Sequence, residues 1–173
     1  PAMEHAAAIA RTHGIPVTVD VDTMYAGFDR VLPLVDYLIA SSEFPARWTG
    51  DEDPFGALTA IRQRFGMKMA AMTLGAHGAL ALHEGRFIYS PAFVVNCVDT
   101  TGAGDVFHGA FCYAVLQQMP IAEALGFANA MAALNCTAVG ARGGIATLAE
   151  ARSLMARGER RTQPEIARRA QAL

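Results

Sequence analysis

The chain has 173 residues, of which 53% are hydrophobic, and its 14 basic and 16 acidic side chains give a formal net charge of −2. This length and apolar content suit one compact domain with a sizeable core, which excludes intrinsic disorder. The balanced charge offers no electrostatic basis for binding nucleic acid or a membrane surface. Cys97, Cys112 and Cys136 are too few and too far apart for a disulfide framework or a zinc site, so they indicate buried side chains in a reducing, cytoplasmic compartment.

Neither a membrane span nor a signal peptide is expected. The most apolar stretch, residues 121–141, is interrupted by Glu123 and two asparagines, whereas a span needs about 20 mostly apolar residues. The N-terminus lacks a basic region followed by an apolar core. The chain opens as if a helix were already under way, and it has no initiator methionine, so we expect that Pro1 is not the natural start.

The first half of the chain predicts alternating helices and short strands. Ala2–His13 favours a helix that ends at Gly14, the usual residue just beyond a helix. Asp53 and Pro54 are typical of an N-cap and a first helical turn, and Gly66 would close that helix. The other predicted elements are a short helix at Asp29–Val35 and strands at Val17–Val21, Tyr37–Ala40 and Met69–Leu74. This alternation predicts an α/β domain with a mainly parallel sheet flanked by helices.

A hairpin is predicted next, made of Ala79–His83 and Arg86–Tyr89 around the turn Glu84-Gly85. Phe93–Val98 is predicted as a further strand, so a short antiparallel part would join one edge of the sheet.

The remainder of the chain predicts helices. Two helices that are apolar on most faces are expected at Asp105–Gln118 and Ile121–Ala138. Thr147 and Glu150 form a capping box that starts a helix ending at Gly158. Residues Glu159–Leu173 predict a frayed, solvated helix, and neither a repeat nor a linker marks a second domain.

A glycine-rich junction between a strand and a helix, Val98–Asp105, carries the clearest chemistry. Gly102, Ala103 and Gly104 leave the backbone open where the first N–H groups of the helix are unpaired, which favours a phosphoryl group. Asp105 lies beside these donors and could accept a proton from an attacking hydroxyl, as phosphoryl transfer requires. A plain turn with a helix-capping carboxylate remains the alternative.

Two other nucleotide motifs are not satisfied. The chain contains no GxxxxGK[ST] segment, and Phe107 stands where GxGxxG needs its last glycine. A hydride-transfer enzyme on a dinucleotide-binding sheet is therefore the weaker interpretation.

The stretch VDTTGAGDVFHGAF, residues 98–111, resembles the C-terminal signature of the ribokinase-like (PfkB) carbohydrate kinases. The resemblance implies a ribokinase-like fold that uses ATP and Mg²⁺. It implies that Asp105 is the catalytic base, that the backbone of Gly102, Ala103, Gly104 and Asp105 is an anion hole, and that Asp99 and Thr101 help to bind a monovalent cation such as K⁺.

Other segments resemble the nucleotide-binding parts of the same family. Thr73, Gly75 and Gly78 match a TLGxxGA segment whose glycines let the nucleotide approach, although alone this segment would be typical of a hairpin turn. Asn129 and the stretch from Gly140 to Gly144 resemble the wall on the adenine side. An isolated buried Asn is also typical of a core polar group with its hydrogen bonds satisfied.

The chain departs from the family pattern at two places. Where many members have a magnesium-linked NxxE motif, Ser41 replaces the Asn and Phe44 replaces the Glu, which leaves Glu43 as a neighbouring candidate for Mg²⁺. Gly144 lacks the hydroxyl that some members offer near the cation, so the dependence on K⁺ stays open.

The resemblance assigns residues 1–173 to the C-terminal, nucleotide-binding portion of a ribokinase-like domain, without the N-terminal substrate and lid portion. It implies ATP-dependent phosphorylation of a sugar hydroxyl and leaves open a homodimer formed through the lid. The alternative from another class is a nucleotide-binding or regulatory module without turnover.

Several other residues have both a functional and a structural interpretation. His108 could face the site or lie at the helix surface, and His77 could touch a nucleotide or be an exposed loop residue. Asp20 and Asp22 could face the substrate or cap a loop. Phe44 and Trp48 could pack beneath a nucleotide or fill the core.

Overall fold

The computed structural model describes residues 2–23 and 25–173. The chain divides into two compact units: the residues up to Thr73 together with Leu80–Phe87, and Leu74–Ala79 together with Ile88–Leu173. The helices are α1 (Ala2–Thr12), α2 (Phe44–Thr49), α3 (Pro54–Phe65), α4 (Ala103–Leu116), α5 (Ile121–Asn135), α6 (Leu148–Arg157) and α7 (Pro164–Ala172). The strands are β1 (Thr18–Val21), β2 (Tyr37–Ala40), β3 (Met69–Thr73), β4 (Ala79–His83), β5 (Arg86–Ser90), β6 (Ala92–Phe93) and β7 (Arg160–Arg161). Of the helices described, none is both long and apolar enough to cross a bilayer.

The main sheet has five strands in the order β1-β2-β3-β4-β5. β1, β2 and β3 are parallel, with Thr18 opposite Tyr37 and Tyr37 opposite Met69. Only residues 74–78 connect β3 to β4, and only Glu84 and Gly85 connect β4 to β5. Such connections are too short for a parallel crossover, so both pairs are antiparallel. The predicted mainly parallel sheet with an antiparallel hairpin at one edge is confirmed.

The central strands β2 and β3 are apolar over most of their length. Residues 38–40 of β2 and 69–72 of β3 are buried without interruption, as in parallel strands covered by helices on both faces. At α3 the predicted boundaries hold, because the Asp53 carboxylate accepts a hydrogen bond from the Gly56 N–H at 3.3 Å and Gly66 ends the helix with a φ of 68°.

In the second unit α4 packs on α5, and α5 packs on α6 and β6. The predicted capping box is present, since the Thr147 hydroxyl accepts from the Glu150 N–H while the Glu150 carboxylate accepts from the Thr147 N–H. As predicted, Gly158 follows the last residue of α6.

The strand expected at Phe93–Val98 is wrong in extent. Only Ala92 and Phe93 form β6, which pairs antiparallel with β7 in a separate two-stranded sheet. Past this pair the N–H groups of Val98 and Asp99 donate to the carbonyl of Cys136 at 2.8 and 3.3 Å. Because these donors bond to the end of a helix, the ladder stops.

Two helix predictions also need correction. Residues Asp29–Val35 form two 3-10 turns, Phe28–Arg30 and Leu32–Leu34, and Pro33 has no N–H to continue a helical ladder. α5 ends at Asn135 rather than Ala138, where the N–H of Thr137 bonds to Leu134 in a tighter turn.

The C-terminal residues are more ordered than the predicted frayed helix. They form β7 and α7. The Arg160 guanidinium lies 3.9 Å from the centre of the Phe93 ring, which anchors β7 beside β6.

The cysteines are less buried than expected. Cys97 is exposed, and Cys112 and Cys136 are half-buried.

Candidate active site

The glycine-rich junction forms a tight turn at the start of α4. Gly102 has a φ of 75°, in the left-handed region that favours glycine. A Cβ atom here would lie 2.5 Å from the carbonyl oxygen of Ala141. Position 102 therefore needs glycine for its conformation and for the close approach of a neighbouring loop.

Two N–H groups at the start of α4 are available to a ligand. The N–H of Ala103 donates to the carbonyl of Thr100 at 3.1 Å, and that of Val106 donates to Gly102 at 2.9 Å. The N–H groups of Gly104 and Asp105 have no acceptor among the described residues, and a Cβ at Gly104 would meet open space. A helix N-terminus with free donors and no side chain in front of them can bind an anion.

Asp105 stands beside these donors in the first turn of α4 and is exposed. No ion pair engages its carboxylate among the described residues. His108, one turn further, is occupied by a ring contact of 2.8 Å to the carbonyl of Gly104. The Asp105 carboxylate is therefore free to accept a proton from a bound hydroxyl.

Asp99 ties the junction together. Its carboxylate accepts hydrogen bonds from the Thr101 hydroxyl at 2.7 Å, the Thr101 N–H at 2.9 Å and the Gly140 N–H at 2.7 Å. These bonds, first of all the one from the Thr101 hydroxyl, lower the pKa of Asp99 from 3.8 to about 2. The ionised carboxylate of Asp99 thus connects the junction to the loop 140–144.

The loop 140–144 packs on the end of α5. A Cβ at Gly144 would lie 2.5 Å from the carbonyl oxygen of Leu134 and 2.6 Å from that of Asn135. Gly140 has a φ of 91°. Both positions of this loop thus have a structural need for glycine besides the nucleotide role that the resemblance implies.

Asn135 is a residue of this site that the sequence reasoning missed. It is fully buried, and its side-chain NH₂ donates to the carbonyl of Thr101 at 3.2 Å. Its Oδ1 atom is buried without a partner. Nothing in the sequence distinguishes it from the other polar residues in an apolar helix, because its role depends on a segment 34 residues away.

The TLGxxG segment is also shaped by close packing. Gly78 has a φ of 98°, and a Cβ there would lie 2.0 Å from the carbonyl oxygen of Ser90, whereas one at Gly75 would meet open space. The Thr73 hydroxyl contacts the carbonyl of Ala40 at 3.4 Å. His77 is exposed, and its carbonyl accepts from the Tyr89 hydroxyl.

Asn129 is buried, and its amide is engaged inside the protein. The NH₂ group donates to the carbonyl and to the hydroxyl of Ser90, both at 2.9 Å. The hydroxyl of Ser90 also accepts from Arg160 at 3.3 Å. Asn129 thus has the hydrogen bonds of a satisfied core residue, while a contact with adenine stays a prediction.

The remaining candidates belong to the first unit. Glu43 is exposed and forms an ion pair with Arg47. Phe44 is 1% exposed and packs edge-on against Phe28, and Trp48 packs on Phe65 with ring centres 5.2 Å apart. Phe44 therefore fills the interior of this unit, whereas Trp48 is half-buried against Phe65. Asp20 and Asp22 are exposed.

An apolar cavity of about 600 Å³ adjoins Asp105. It lies between α4, α5 and the loop before α6, and Val106, Phe127, Ile145 and Arg142 contribute to its lining. Among residues 2–23 and 25–173 no group of three or more His, Cys, Asp or Glu side chains is placed to hold a metal ion.

Comparison with known proteins identifies the family of this chain. Residues 1–148 match the pfkB family carbohydrate kinase profile, so the chain belongs to that family. It is 31% identical over 152 residues to a ribokinase of Haemophilus influenzae, covering 86% of this chain and 50% of that protein.

Solved structures show the same fold. A putative ribokinase from Agrobacterium tumefaciens superposes with a TM-score of 0.82 at 27% identity, covering 89% of this chain and 51% of the other. An aminoimidazole riboside kinase from Salmonella enterica superposes with a TM-score of 0.77 at 26% identity, covering 89% and 57%. The chain therefore spans about half the length of the relatives it matches.

Proposed function

We propose that the protein transfers the γ-phosphoryl group of ATP to a hydroxyl group of a sugar, with Asp105 as the base and the backbone of Gly102–Asp105 as the anion hole. One observation carries this proposal: the exposed Asp105 carboxylate stands beside two N–H groups that have no acceptor in the described part of the chain. Membership of the pfkB family and the kinases among the relatives support it.

The proposed phosphoryl transfer depends mainly on the positions of the reacting groups and on electrostatic stabilisation. The free N–H groups of Gly104 and Asp105 hold the negative oxygens of the transferring phosphoryl group, while Asp105 takes the proton of the attacking hydroxyl. Asp99 keeps the junction in the required shape through its three hydrogen bonds. A pre-formed arrangement of this kind lowers the barrier because no donor has to reorient during the reaction.

The resemblance implies Mg²⁺, whose chemistry is to neutralise phosphate charge. Mg²⁺ in kinases is held by one or two carboxylates and by the nucleotide phosphates, so the absence of a larger cluster among the described residues is compatible with it. Glu43 stays a predicted ligand, although its carboxylate pairs with Arg47. Asp99 and Thr101 stay predicted partners of a monovalent cation. Oδ1 of Asp99 accepts both bonds from Thr101, whereas Oδ2 accepts only the one from Gly140 and so keeps a lone pair.

The acceptor sugar and the assembly state are open to direct test. Relatives are named ribokinase, 2-dehydro-3-deoxygalactonokinase, fructosamine kinase and deoxyribokinase. Ribose is therefore the first acceptor to assay, followed by keto sugars and sugar acids. Sedimentation would test the homodimer that the resemblance leaves open.

The deciding experiment is Asp105→Asn in the full-length natural protein. We expect kcat to fall by about 10²–10⁴ while the KM for ATP changes little, since the N–H donors remain. Glu123→Gln is the matched control, because Glu123 is also the acidic residue in the first turn of its helix, α5. An unchanged kcat in Asp105→Asn would show that Asp105 is not the base.

A nucleotide-binding module without turnover is the second candidate. It is favoured by the Glu43–Arg47 ion pair, which neutralises the neighbouring carboxylate, and by Phe44, a buried apolar side chain where the family motif has its Glu. Calorimetry with ATP and a product assay on the same preparation separate the two functions. Binding without product across the acceptor series would select the module.

A further inference from the structure

Two of the three cysteines lie side by side just before the anion site, the turn formed by Gly102–Asp105. The Val98 N–H next to Cys97 donates to the carbonyl of Cys136 at 2.8 Å, and the Asp99 N–H reaches the same oxygen at 3.3 Å. Burial raises the pKa of the Cys136 thiol, and the neighbouring Cys97 side chain raises it further. The backbone hydrogen bonds therefore hold the two cysteines near each other, although they are 39 positions apart in sequence.

The surroundings suit oxidation rather than metal binding. Cys97 is exposed, so a small oxidant can reach it, and Cys136 is half-buried behind it. Among the described residues no third His, Cys, Asp or Glu completes a metal site with the pair. Cys112 lies within α4, on a different element from both.

We propose that Cys97 and Cys136 form a reversible disulfide when the protein meets a peroxide. The sulfur of Cys97 attacks one oxygen of hydrogen peroxide, the O–O bond breaks, and a sulfenic acid and one water result. The sulfur of Cys136 then attacks the sulfenic sulfur, the S–OH bond breaks, and a second water leaves with the proton of Cys136. In total two thiols lose two electrons, and one peroxide is reduced to two waters.

The disulfide would alter the anion site because it forms two residues before Asp99, which holds the junction in place. The two sulfur atoms have to approach each other to about 2.05 Å, which pulls Cys97 toward the end of α5. Asp99, two residues further along, holds Thr101 and Gly140 by bonds of 2.7–2.9 Å that depend on its position. Oxidation would therefore displace the junction that presents the free N–H groups. This effect on nucleotide binding rests on the proposed function, whereas formation of the disulfide does not.

The first test follows the bond itself. The protein is treated with hydrogen peroxide, and free thiols are counted and non-reduced peptides are identified by mass spectrometry. We expect loss of two of three thiols, a peptide that links Cys97 to Cys136, and full recovery with dithiothreitol. Cys112→Ser should form the same link, so that its two free thiols fall to none. Cys97→Ser and Cys136→Ser should form no internal link. Three intact thiols, a link through Cys112, or irreversible oxidation of Cys97 alone would overturn the proposal.

The second test measures ATP binding by calorimetry on reduced, oxidised and re-reduced protein. We expect oxidation to weaken binding by about tenfold, as small displacements of positioning groups do, and reduction to restore it. Cys97→Ser should bind ATP equally well with and without peroxide. Unchanged affinity in the linked protein would refute the coupling to the anion site. Failure of the reduced protein to bind ATP would count against the proposed function alone.

Discussion

Asp99 is the residue whose charge most directly holds the anion site. Its pKa is lowered from 3.8 to about 2 by hydrogen bonds from Thr101 and Gly140. A carboxyl group with a lowered pKa stabilises the folded state above its unfolded pKa and loses that contribution as the pH falls. The contribution of Asp99 is therefore complete above about pH 4 and disappears toward pH 2.

We expect Asp99→Asn to flatten the acid side of the stability curve. The free energy of unfolding, measured with urea between pH 2 and pH 6, should fall less between pH 4 and pH 2 in the variant than in the wild type. Thr101→Val removes the strongest of the hydrogen bonds to Asp99 and should give an intermediate curve. Parallel curves for all three proteins would contradict the assigned role of Asp99.

Alanine substitutions at the junction glycines should affect the free energy of unfolding and the binding of ATP differently. Gly104→Ala places a methyl group in open space within a helix, so we expect a gain of about 0.4–1 kcal/mol in stability but loss of ATP binding, because the methyl group covers the anion site. Gly102→Ala should cost about 1–3 kcal/mol, since a φ of 75° disfavours alanine.

Urea unfolding and ATP calorimetry on both glycine variants provide the measurements. Gly109→Ala, also in open space on α4, is the control for the helical gain alone. Retention of normal ATP affinity by Gly104→Ala would show that the anion does not approach this position.

At the residue scale the sequence predicts the local turn better than the tertiary contacts that hold it in place. The segment from Asp99 to Asp105 contains the turn, the open backbone and the proposed base. Asn135 acts on Thr101 only because α5 ends beside the junction. Such a contact depends on tertiary packing, which no local pattern contains.

The start of α6 provides a test at the scale of a single element. The hydroxyl of Thr147 satisfies an N–H group that the helix leaves unpaired, so Thr147→Ala should cost about 1 kcal/mol in the free energy of unfolding. Gln163→Ala at the start of α7 is the control, because that N-cap makes no side-chain hydrogen bond. Equal losses in the two variants, measured by urea unfolding, would argue against a stabilising cap.

Elements with strong end signals are the ones that the sequence predicts well. α3 and α6 begin at Asp53 and Thr147, where the side chain bonds to the backbone of its own helix. β6 is different, because its partner Arg160–Arg161 lies in a segment with little apolar pattern. A two-residue strand is defined by its pairing and not by its own residues, so its length could not be predicted.

At the scale of the whole molecule, ligand binding should appear as added stability. A ligand that binds only the folded state at 100 times its Kd stabilises that state by about 2.7 kcal/mol. ATP with Mg²⁺ should therefore raise the unfolding temperature of the wild type and of Asp105→Asn alike, because both keep the N–H donors. We expect no such rise for Gly104→Ala in a thermal unfolding assay. Equal shifts in all three proteins would place the nucleotide elsewhere.

The contacts of the C-terminal segment with the end of β5 have a consequence for the order in which the protein matures. Gln163 donates its N–H to the Tyr89 hydroxyl across 74 positions, and Arg160 reaches Ser90 across 70. At a synthesis rate of about 5–20 residues per second, the end of β5 waits roughly 4–15 s for these partners to be made. Ser90 accepts hydrogen bonds from Asn129 and from Arg160. The bond from Arg160 can thus form only late in synthesis, well after the anion site has been translated.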